Sequence, residues 1–103
     1  MGPTPEMQLA FDDDAAALYT VGQVAGMLEL PSAFLRRLDR ERVVQPARSD
    51  GGQRRYSRLD VAQIQHVTRM TDEGMTLVGI RRILELESEI DVLKKEIAAL
   101  QAR

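Results

Sequence analysis

Apolar residues recur at helical spacing in four stretches of the chain, covering residues 21–28, 33–41, 58–72 and 77 almost to the end. Three of these stretches open on a hydroxyl residue of the kind that caps helix starts: Thr20, Ser57 and Thr76. Gly74 ends the third stretch, since glycine readily takes the left-handed conformation that closes a helix. The pattern predicts a mostly α-helical protein with a long last helix.

Residues 46–56 interrupt the helical pattern and favour a β-hairpin. Pro46 ends any helix, and Asp50, Gly51 and Gly52 supply the positive φ angles that a tight turn needs. The preceding pair of short helices is joined by a short turn at residues 29–31. Two such helices followed by a two-stranded wing have the order of a winged helix-turn-helix.

The last helix carries a strict heptad repeat, with isoleucine at position a and leucine at position d. All six positions follow the pattern: Ile83, Leu86, Ile90, Leu93, Ile97 and Leu100. A lone helix would leave this row in water, so we expect a partner helix, most simply from a second copy of the chain. We therefore predict that a coiled-coil dimerisation helix follows the winged helix-turn-helix.

The residues themselves leave the direction of helix pairing open. Isoleucine at a with leucine at d favours a parallel pair, in which Arg82 would face Glu87 and Glu89 would face Lys94. An antiparallel register can also oppose Glu87 and Lys94, although one such register sets Glu89 against Glu96. Taken alone, these pairs slightly favour parallel helices.

A chain of 103 residues makes one small domain with one extension. Residues 1–17 contain two prolines, an acidic triplet and no periodicity, and we predict a disordered acidic tail there. Residues 18–75 make the predicted winged helix-turn-helix domain, and residues 76–103 make the helix that continues into the coiled coil. Because small domains bury little surface, dimerisation would stabilise this one.

Charge is strongly segregated along the chain. Between residues 36 and 58 there are eight arginines and three acids, a net charge of +5 in a protein whose net charge is −2. The compensating acids lie mainly in the tail and in the last helix. Since an arginine-rich helix and a basic hairpin are what a winged helix-turn-helix presents to DNA, we expect double-stranded DNA as a partner.

Arginine suits this task because its planar guanidinium can bind a phosphate, or the O6 and N7 edge of guanine, with two hydrogen bonds. The N-terminal half of a recognition helix usually reaches bases, whereas wing residues more often hold phosphates. The predicted DNA contacts are Ser32, Ala33, Arg36, Arg37, Arg40, Arg48, Arg54, Arg55 and Tyr56. Two alternatives stay open: Tyr56 as a core residue beneath the wing, and the arginines as a solvated face with Arg–Asp pairs.

Composition disfavours several other functions. The chain has no cysteine and one histidine, His66, so we expect no disulfide, no metal site and no cofactor. Without an apolar run near about 18 residues or a signal-peptide pattern, we expect no membrane association and a cytoplasmic location. Because no paired carboxylates lie in an apolar pocket, we expect no catalytic residues and no enzyme activity.

The order of helix-turn-helix, wing, two helices and coiled coil resembles the MerR family of bacterial transcription regulators over about residues 19–100. The motifs that carry the resemblance are Pro46-Ala47-Arg48, Gly51-Gly52, Arg54-Arg55-Tyr56-Ser57 and the run from Gly74 to Ile83. The run over residues 77–87 looks most like the heat-shock repressor subgroup. The chain departs from the family at Phe34 and Leu38, where Thr and Tyr are usual, and at Arg42, where Gly is usual.

The resemblance implies a homodimer that places one recognition helix and one wing on each half of a pseudo-palindromic promoter operator. It also implies antiparallel coiled-coil helices, which we expect in preference to the parallel pair. It favours a repressor over an activator, and the heat-shock subgroup uses an Hsp70 chaperone, so a protein corepressor or RNA polymerase is a further candidate partner. Because the chain stops soon after the heptads, we expect no C-terminal effector-binding domain.

Two other functions are alternatives to this one. An architectural or excisionase-like protein would line up head-to-tail on direct repeats of DNA, but proteins of that kind usually lack a coiled coil. A protein-interaction module would instead act through its coiled coil, with the arginines bound to an acidic partner. Salt-dependent binding to DNA of defined sequence discriminates between DNA recognition and the interaction module.

Overall fold

The computed structural model describes residues 14–103, which form four α-helices and three short β-strands. The elements follow one another as β1 (Tyr19–Thr20), α1 (Val21–Leu28), α2 (Ser32–Arg40), β2 (Ala47–Arg48), β3 (Arg54–Tyr56), α3 (Arg58–Asp72) and α4 (Leu77–Gln101). The mostly α-helical fold is confirmed, with a helix-turn-helix, a wing and a long C-terminal helix in the predicted order. The second helix begins and ends one residue earlier than predicted.

Three helices begin where the sequence predicts because hydroxyl side chains satisfy their first amides. Thr20 Oγ1 accepts from the Gln23 amide at 3.1 Å, and Gln23 Oε1 accepts from the Thr20 amide at 2.8 Å. Ser57 and Asp60 make the same reciprocal pair at the start of α3, at 3.0 and 2.9 Å. Thr76 caps α4. These local hydrogen bonds determine the residues at which α1, α3 and α4 begin.

The sheet has three strands in the order β1-β3-β2, all antiparallel, so the predicted two-stranded wing is incomplete. The third strand is β1, which pairs Tyr19 with Tyr56 and Thr20 with Arg55. A two-residue strand is too short to show an alternating pattern, so only the folded chain shows the pairing. As a result, the wing is attached directly to the segment that leads into α1.

The wing turn needs one positive φ angle rather than several. Of the three residues 50–52, only Gly52 has positive φ, at 82°. The Gly52 amide donates to the Ser49 carbonyl at 2.8 Å, and the Ser49 amide donates to the Gln53 carbonyl at 2.8 Å. A side chain at position 52 would be strained in this conformation, which explains the glycine there.

One hydrophobic core joins the helices to β3. Leu35 and Leu38 of α2 are fully buried, as their spacing predicts. The buried apolar set is Val24, Ala25, Leu35, Leu38, Val43, Val44, Tyr56, Ile64, Val67, Met70, Leu77 and Ile80. Because every helix contributes to this set, α2 packs against α1 and shares one core with β3, α3 and the first turns of α4.

The structure describes the last residues of the segment that was predicted as a disordered tail. Residues 14–16 form a turn before β1, and the Asp14 carbonyl accepts from the Leu59 amide at 3.1 Å. The Asp14 carboxylate also lies 3.9 Å from Arg58 Nη1. The first amides of a helix lack intrahelical partners, so the start of α3 can hold this segment. The remaining part of the predicted tail, residues 1–13, lies outside the described residues.

The long helix α4 leaves the core after about two turns. Leu77 and Ile80 are buried, Ile83 and Leu84 are half-buried, and residues 85–103 are all exposed. At 1.5 Å per residue, the exposed helical part over residues 85–101 is about 25 Å long. The helix therefore has a base inside the domain and an arm outside it.

Candidate nucleic-acid interface

The second helix of the helix-turn-helix presents a basic face. Its apolar residues turn into the core, while Arg36, Arg37 and Arg40 on the other sides are exposed. At its N-terminal end Ser32 is half-buried and Ala33 is exposed. The helix starts behind Pro31 without a side-chain cap, so its first amides have no capping side chain. We call α2 the recognition helix from here on.

A single carboxylate joins the recognition helix to both wing strands. Asp39 Oδ2 accepts from Arg54 Nε at 2.6 Å and from Arg48 Nη2 at 2.8 Å. The Asp39 side chain is 11% exposed and its bond to Arg54 is partly buried, whereas its bond to Arg48 is exposed. Arg48 and Arg54 are direct cross-strand partners, and like charges in that position repel. Asp39 offsets this repulsion and holds the wing against the recognition helix.

The wing arginines differ in how far they are engaged by the protein. Arg54 is only 19% exposed, whereas Arg48 is 49% exposed and also donates from Nη1 to the Gly52 carbonyl at 3.1 Å. Arg55 is half-buried, and its Nη1 donates to the neighbouring Arg54 carbonyl at 3.2 Å. The predicted alternative of Arg–Asp pairs therefore describes Arg48 and Arg54 in part, because Asp39 already engages one nitrogen of each.

Tyr56 is a core residue, which corrects its prediction as a phosphate contact. Its side chain is fully buried, and its hydroxyl has no hydrogen-bond partner in the described part of the chain. Burial raises the pKa of this phenol, because the charged form would lose its water. Of the two interpretations that the sequence leaves open, the core residue beneath the wing is therefore the one found.

The C-terminal end of the recognition helix has an unusual backbone. Arg42 has φ of 58°, in the left-handed region where most side chains are disfavoured. Arg42 is the position at which glycine is usual in the family that the sequence resembles, and it takes the conformation that glycine would favour. Arg37 Nε pairs with the Glu41 carboxylate at 2.6 Å one turn apart. Within residues 14–103, Arg36, Arg40 and Arg42 have no acidic partner.

Two residues of this surface were missing from the predicted contacts. Asp39 is an acid between basic neighbours, and its bonds span nine and fifteen residues, a distance over which sequence spacing carries no signal. Arg42 is exposed beside the recognition helix, and its departure from glycine was the signal that could have identified it. Like Arg36 and Arg40, it has no acidic partner within residues 14–103.

The predicted dimerisation residues fall into two groups. Ile83 is half-buried and packs against the domain's own core. The other five project from the exposed arm of α4, and we call them the heptad stripe: Leu86, Ile90, Leu93, Ile97 and Leu100. Their side chains are 40–63% exposed, so the arm carries a continuous row of large apolar groups in contact with water.

The described residues contain neither a candidate metal site nor a candidate membrane-spanning helix. Residues 14–103 contain no cluster of three His, Asp or Glu side chains that could hold a metal ion. None of the helices in the same range combines the length and apolarity that a membrane crossing requires. His66, the one histidine, instead places Nε2 2.9 Å from Glu87 Oε1 and so joins α3 to the arm of α4.

The chain resembles known DNA-binding regulators across most of its length. Residues 19–87 match the family described as MerR HTH family regulatory protein. The heat shock protein HspR of Streptomyces coelicolor is 37% identical over 86 residues, which cover 82% of this chain and 57% of that protein. The HTH-type transcriptional regulator GlnR of Bacillus cereus is 26% identical over 98 residues, or 89% of this chain and 76% of GlnR. The chain thus spans little more than half the length of the HspR relative.

Two solved structures share the fold. The N-terminal part of MtaN, the Bacillus subtilis multidrug transporter activator, superposes with a TM-score of 0.61 at 26% identity, over 81% of this chain and 88% of that chain. HiNmlR, a MerR family regulator that lacks the sensor domain and is bound to promoter DNA, gives a TM-score of 0.61 at 23% identity, over 81% of this chain and 79% of that chain. The second likeness concerns the fold alone.

Proposed function

The chain belongs to the MerR HTH family and is a DNA-binding transcriptional regulator, and from this membership we propose that it acts as a homodimeric repressor at an inverted-repeat promoter operator. The observation that carries the proposal is the joint presence of two surfaces on one small chain. One is the basic face of recognition helix and wing, and the other is the heptad stripe on a projecting arm.

Sequence-specific recognition requires groups aimed at base edges from a rigid element. Arg36 and Arg40 project from a helix whose opposite side is packed into the core, and neither has an acidic partner within residues 14–103. We assign base contacts to Arg36, Arg37 and Arg40, with Ser32 and Ala33 at the leading end of the helix. To contact a base, Arg37 must break or share its ion pair with Glu41. Breaking an exposed ion pair of this kind costs little free energy.

Phosphate contacts hold the protein on the duplex and supply most of the salt-dependent affinity. We assign them to Arg48, Arg54 and Arg55 in the wing, together with Arg42. Asp39 leaves Nε of Arg48 and both terminal nitrogens of Arg54 outside its own bonds, while Nη1 of Arg48 donates to the Gly52 carbonyl. The wing arginines are thus held in place by one acid while part of each guanidinium can bind a phosphate.

The heptad stripe supports dimerisation because five large apolar side chains lie in water on one face of the arm. A second copy of the same arm would cover them with the matching pattern of isoleucine and leucine. We propose an antiparallel pair, which places one winged helix-turn-helix at each end of the coiled coil. Two basic faces related by a two-fold axis suit the two halves of an inverted repeat.

Repression is the finer part of the proposal. It is supported by the resemblance of residues 77–87 to the heat-shock repressor subgroup and by the likeness to a protein that carries the name HspR. A bound dimer would exclude or hinder RNA polymerase at the promoter, and a protein corepressor could bind beside it. Transcription in vitro from a promoter that carries the operator tests this part: added protein should lower transcript yield, and a rise would show an activator.

The operator itself is tested by selecting bound sequences from a random DNA pool with the full chain at near-physiological salt. We expect an enriched inverted repeat whose half-site spacing reports the separation of the two recognition helices. Enriched direct repeats would support the head-to-tail architectural alternative. If no sequence is enriched, the DNA-recognition proposal fails, and the coiled coil becomes the place to look for a protein partner.

A further inference from the structure

A long-range hydrogen bond connects the base of α4 to the end of the recognition helix. Arg81 Nη1 donates to the backbone carbonyl of Glu41 at 3.0 Å, across forty residues of sequence. The bond is partly buried. Arg81 lies one turn into α4 and follows Ile80, which is fully buried. The guanidinium is therefore held by a helix turn that is itself fixed in the core.

The Glu41 carbonyl needs such a partner for a physical reason. Carbonyls in the last turn of a helix have no intrahelical donor, and they form the negative end of the helix dipole. Residue 42 then takes the left-handed conformation, which turns the chain sharply away from the helix. A cation that donates to the carbonyl at this point stabilises both the helix end and the turn that follows it.

Apart from the Arg81 bond and the burial of Val43 and Val44 in the core, the turn after Glu41 is held within the described residues by short-range backbone bonds. The Arg42 amide donates to the Asp39 carbonyl at 3.0 Å, and the Val43 amide donates to the Leu38 carbonyl at 2.8 Å. These bonds shape the turn but do not relate it to α4. The Arg81 bond does relate them, and it joins the recognition helix to the helix that bears the heptad stripe.

We propose that Arg81 is a positioning residue that transmits the geometry of the dimer arm to the recognition helix and so sets the half-site spacing of the operator. This inference rests on the proposed function, because spacing has meaning only for a dimer on two half-sites. In such a dimer, the path from one recognition helix to the other runs through both arms. Within the described residues, the Arg81 bond is the direct polar link on that path between the base of α4 and the end of the recognition helix.

Loss of a residue that sets this geometry should affect operator binding differently from loss of a residue that only stabilises the fold. If Arg81 only stabilised the fold, its loss would lower the melting temperature and weaken binding to all operators equally. If it sets geometry, its loss frees the helix end to tilt, so operators with a changed spacer are penalised less than before. The spacer preference is therefore a readout that a merely structural role would not move.

The test uses the full chain with Arg81→Met, which keeps an unbranched apolar stem but removes the guanidinium donors. Arg82→Met is the matched control, because it removes the same charge at the neighbouring position. The Arg82 side chain is exposed and pairs with Glu85. Affinity is measured at near-physiological salt for the selected operator and for versions with one base pair added to or removed from the spacer. Melting temperature is recorded for each variant.

For Arg81→Met we expect about ten-fold weaker binding to the selected operator, equal to about 1.4 kcal/mol, with a several-fold smaller penalty for altered spacers. Arg82→Met should keep the wild-type spacer preference. Identical spacer preferences in Arg81→Met and wild type would overturn the proposal.

If Arg81→Met does not fold, Arg81→Lys is the deciding variant, since its single ammonium restores only part of the bond. It should show an intermediate spacer preference, and an unchanged one would overturn the proposal. If wild-type protein itself selects no inverted repeat, the proposed function fails first, and that outcome is visible before any variant is made.

Discussion

Asp39 Oδ2 lies 2.6 Å from Arg54 Nε, so the most buried acid of the recognition helix binds the central strand of the wing. Both side chains are largely shielded, at 11% and 19% exposure, and the same oxygen also accepts from Arg48. Hydrogen bonds between charged groups in such a setting are stronger than those at an open surface. The relative position of helix and wing thus depends on one carboxylate.

Replacing Asp39 with Asn should lower the free energy of unfolding by about 2 kcal/mol, since two arginines lose a charged partner while the shape is kept. Urea denaturation at pH 7 measures this. Asp50→Asn, in the exposed wing turn, is the matched control and should change stability little. We also expect Asp39→Asn to reduce the ratio of specific to non-specific DNA affinity. Equal stabilities of the two variants would show that the bonds from Asp39 contribute nothing.

Replacing Tyr56 with Phe should leave the protein at least as stable and its DNA affinity unchanged. The buried hydroxyl has no partner in the described residues, so removing it should raise the free energy of unfolding by up to about 1 kcal/mol. Thermal denaturation and operator binding check both parts. A ten-fold loss of affinity would instead return Tyr56 to the DNA interface.

The same tyrosine predicts a pH effect with a definite sign. Burial raises the pKa of Tyr56, so the unfolded chain releases the phenolic proton at lower pH than the folded one. Its stabilising contribution is complete below the unfolded pKa of about 10 and is lost as pH rises through the folded pKa. Wild type should therefore lose stability above about pH 10 faster than Tyr56→Phe, as measured by urea midpoints. Parallel pH profiles for the two proteins would contradict this.

Replacing Arg42 with Gly should stabilise the fold by about 1 kcal/mol, because glycine takes the left-handed conformation without steric cost. Its DNA affinity should nevertheless fall, since a proposed phosphate contact is removed. Glu29→Gly is the matched control: Glu29 also has positive φ, at 54°, but ends α1 at a site outside the proposed interface. It should be stabilised to a similar degree with unchanged DNA binding. If Arg42→Gly binds DNA as wild type does, Arg42 is not a contact.

Replacing Ile90 and Leu93 together with Lys should give monomers whose operator affinity is at least about ten-fold weaker, since two cations would lie in the core of the coiled coil. Light scattering after size exclusion measures the mass. Val92→Lys is the control, because Val92 is equally exposed on the arm but outside the a and d positions. A dimer that survives the double replacement would refute the proposed pairing.

Arginines of the wing and of the recognition helix should differ in how they affect specificity. Arg55→Ala should weaken binding to all sequences and reduce the salt dependence by about 0.9 in log–log slope, the value of one phosphate contact. Arg37→Ala should instead relax the preference at one base position, measured by repeating the selection. If both variants weaken every sequence equally, the division between phosphate and base contacts is wrong.

Much of the fold could be predicted from local patterns. The caps at Thr20, Ser57 and Thr76 and the left-handed Gly74 depend on residues within one helical turn, so the sequence contains their full cause. The strand β1 could not be predicted, because two residues show no alternation and their pairing partners lie thirty-five and thirty-seven residues away. Tyr56 was ambiguous for a related reason: a half-polar aromatic suits both a core and a surface.

The features of the candidate interface likewise separate into those that the sequence predicts and those that only the folded structure shows. By itself the sequence determined the charge segregation, the inward face of the recognition helix and the heptad stripe, since each is a periodic or compositional property. The tertiary structure alone decided which arginines are engaged by Asp39, that Tyr56 is buried, and that Arg81 reaches the Glu41 carbonyl. These are contacts between residues far apart in sequence. They depend on how helices and wing pack, and short-range spacing does not encode that packing.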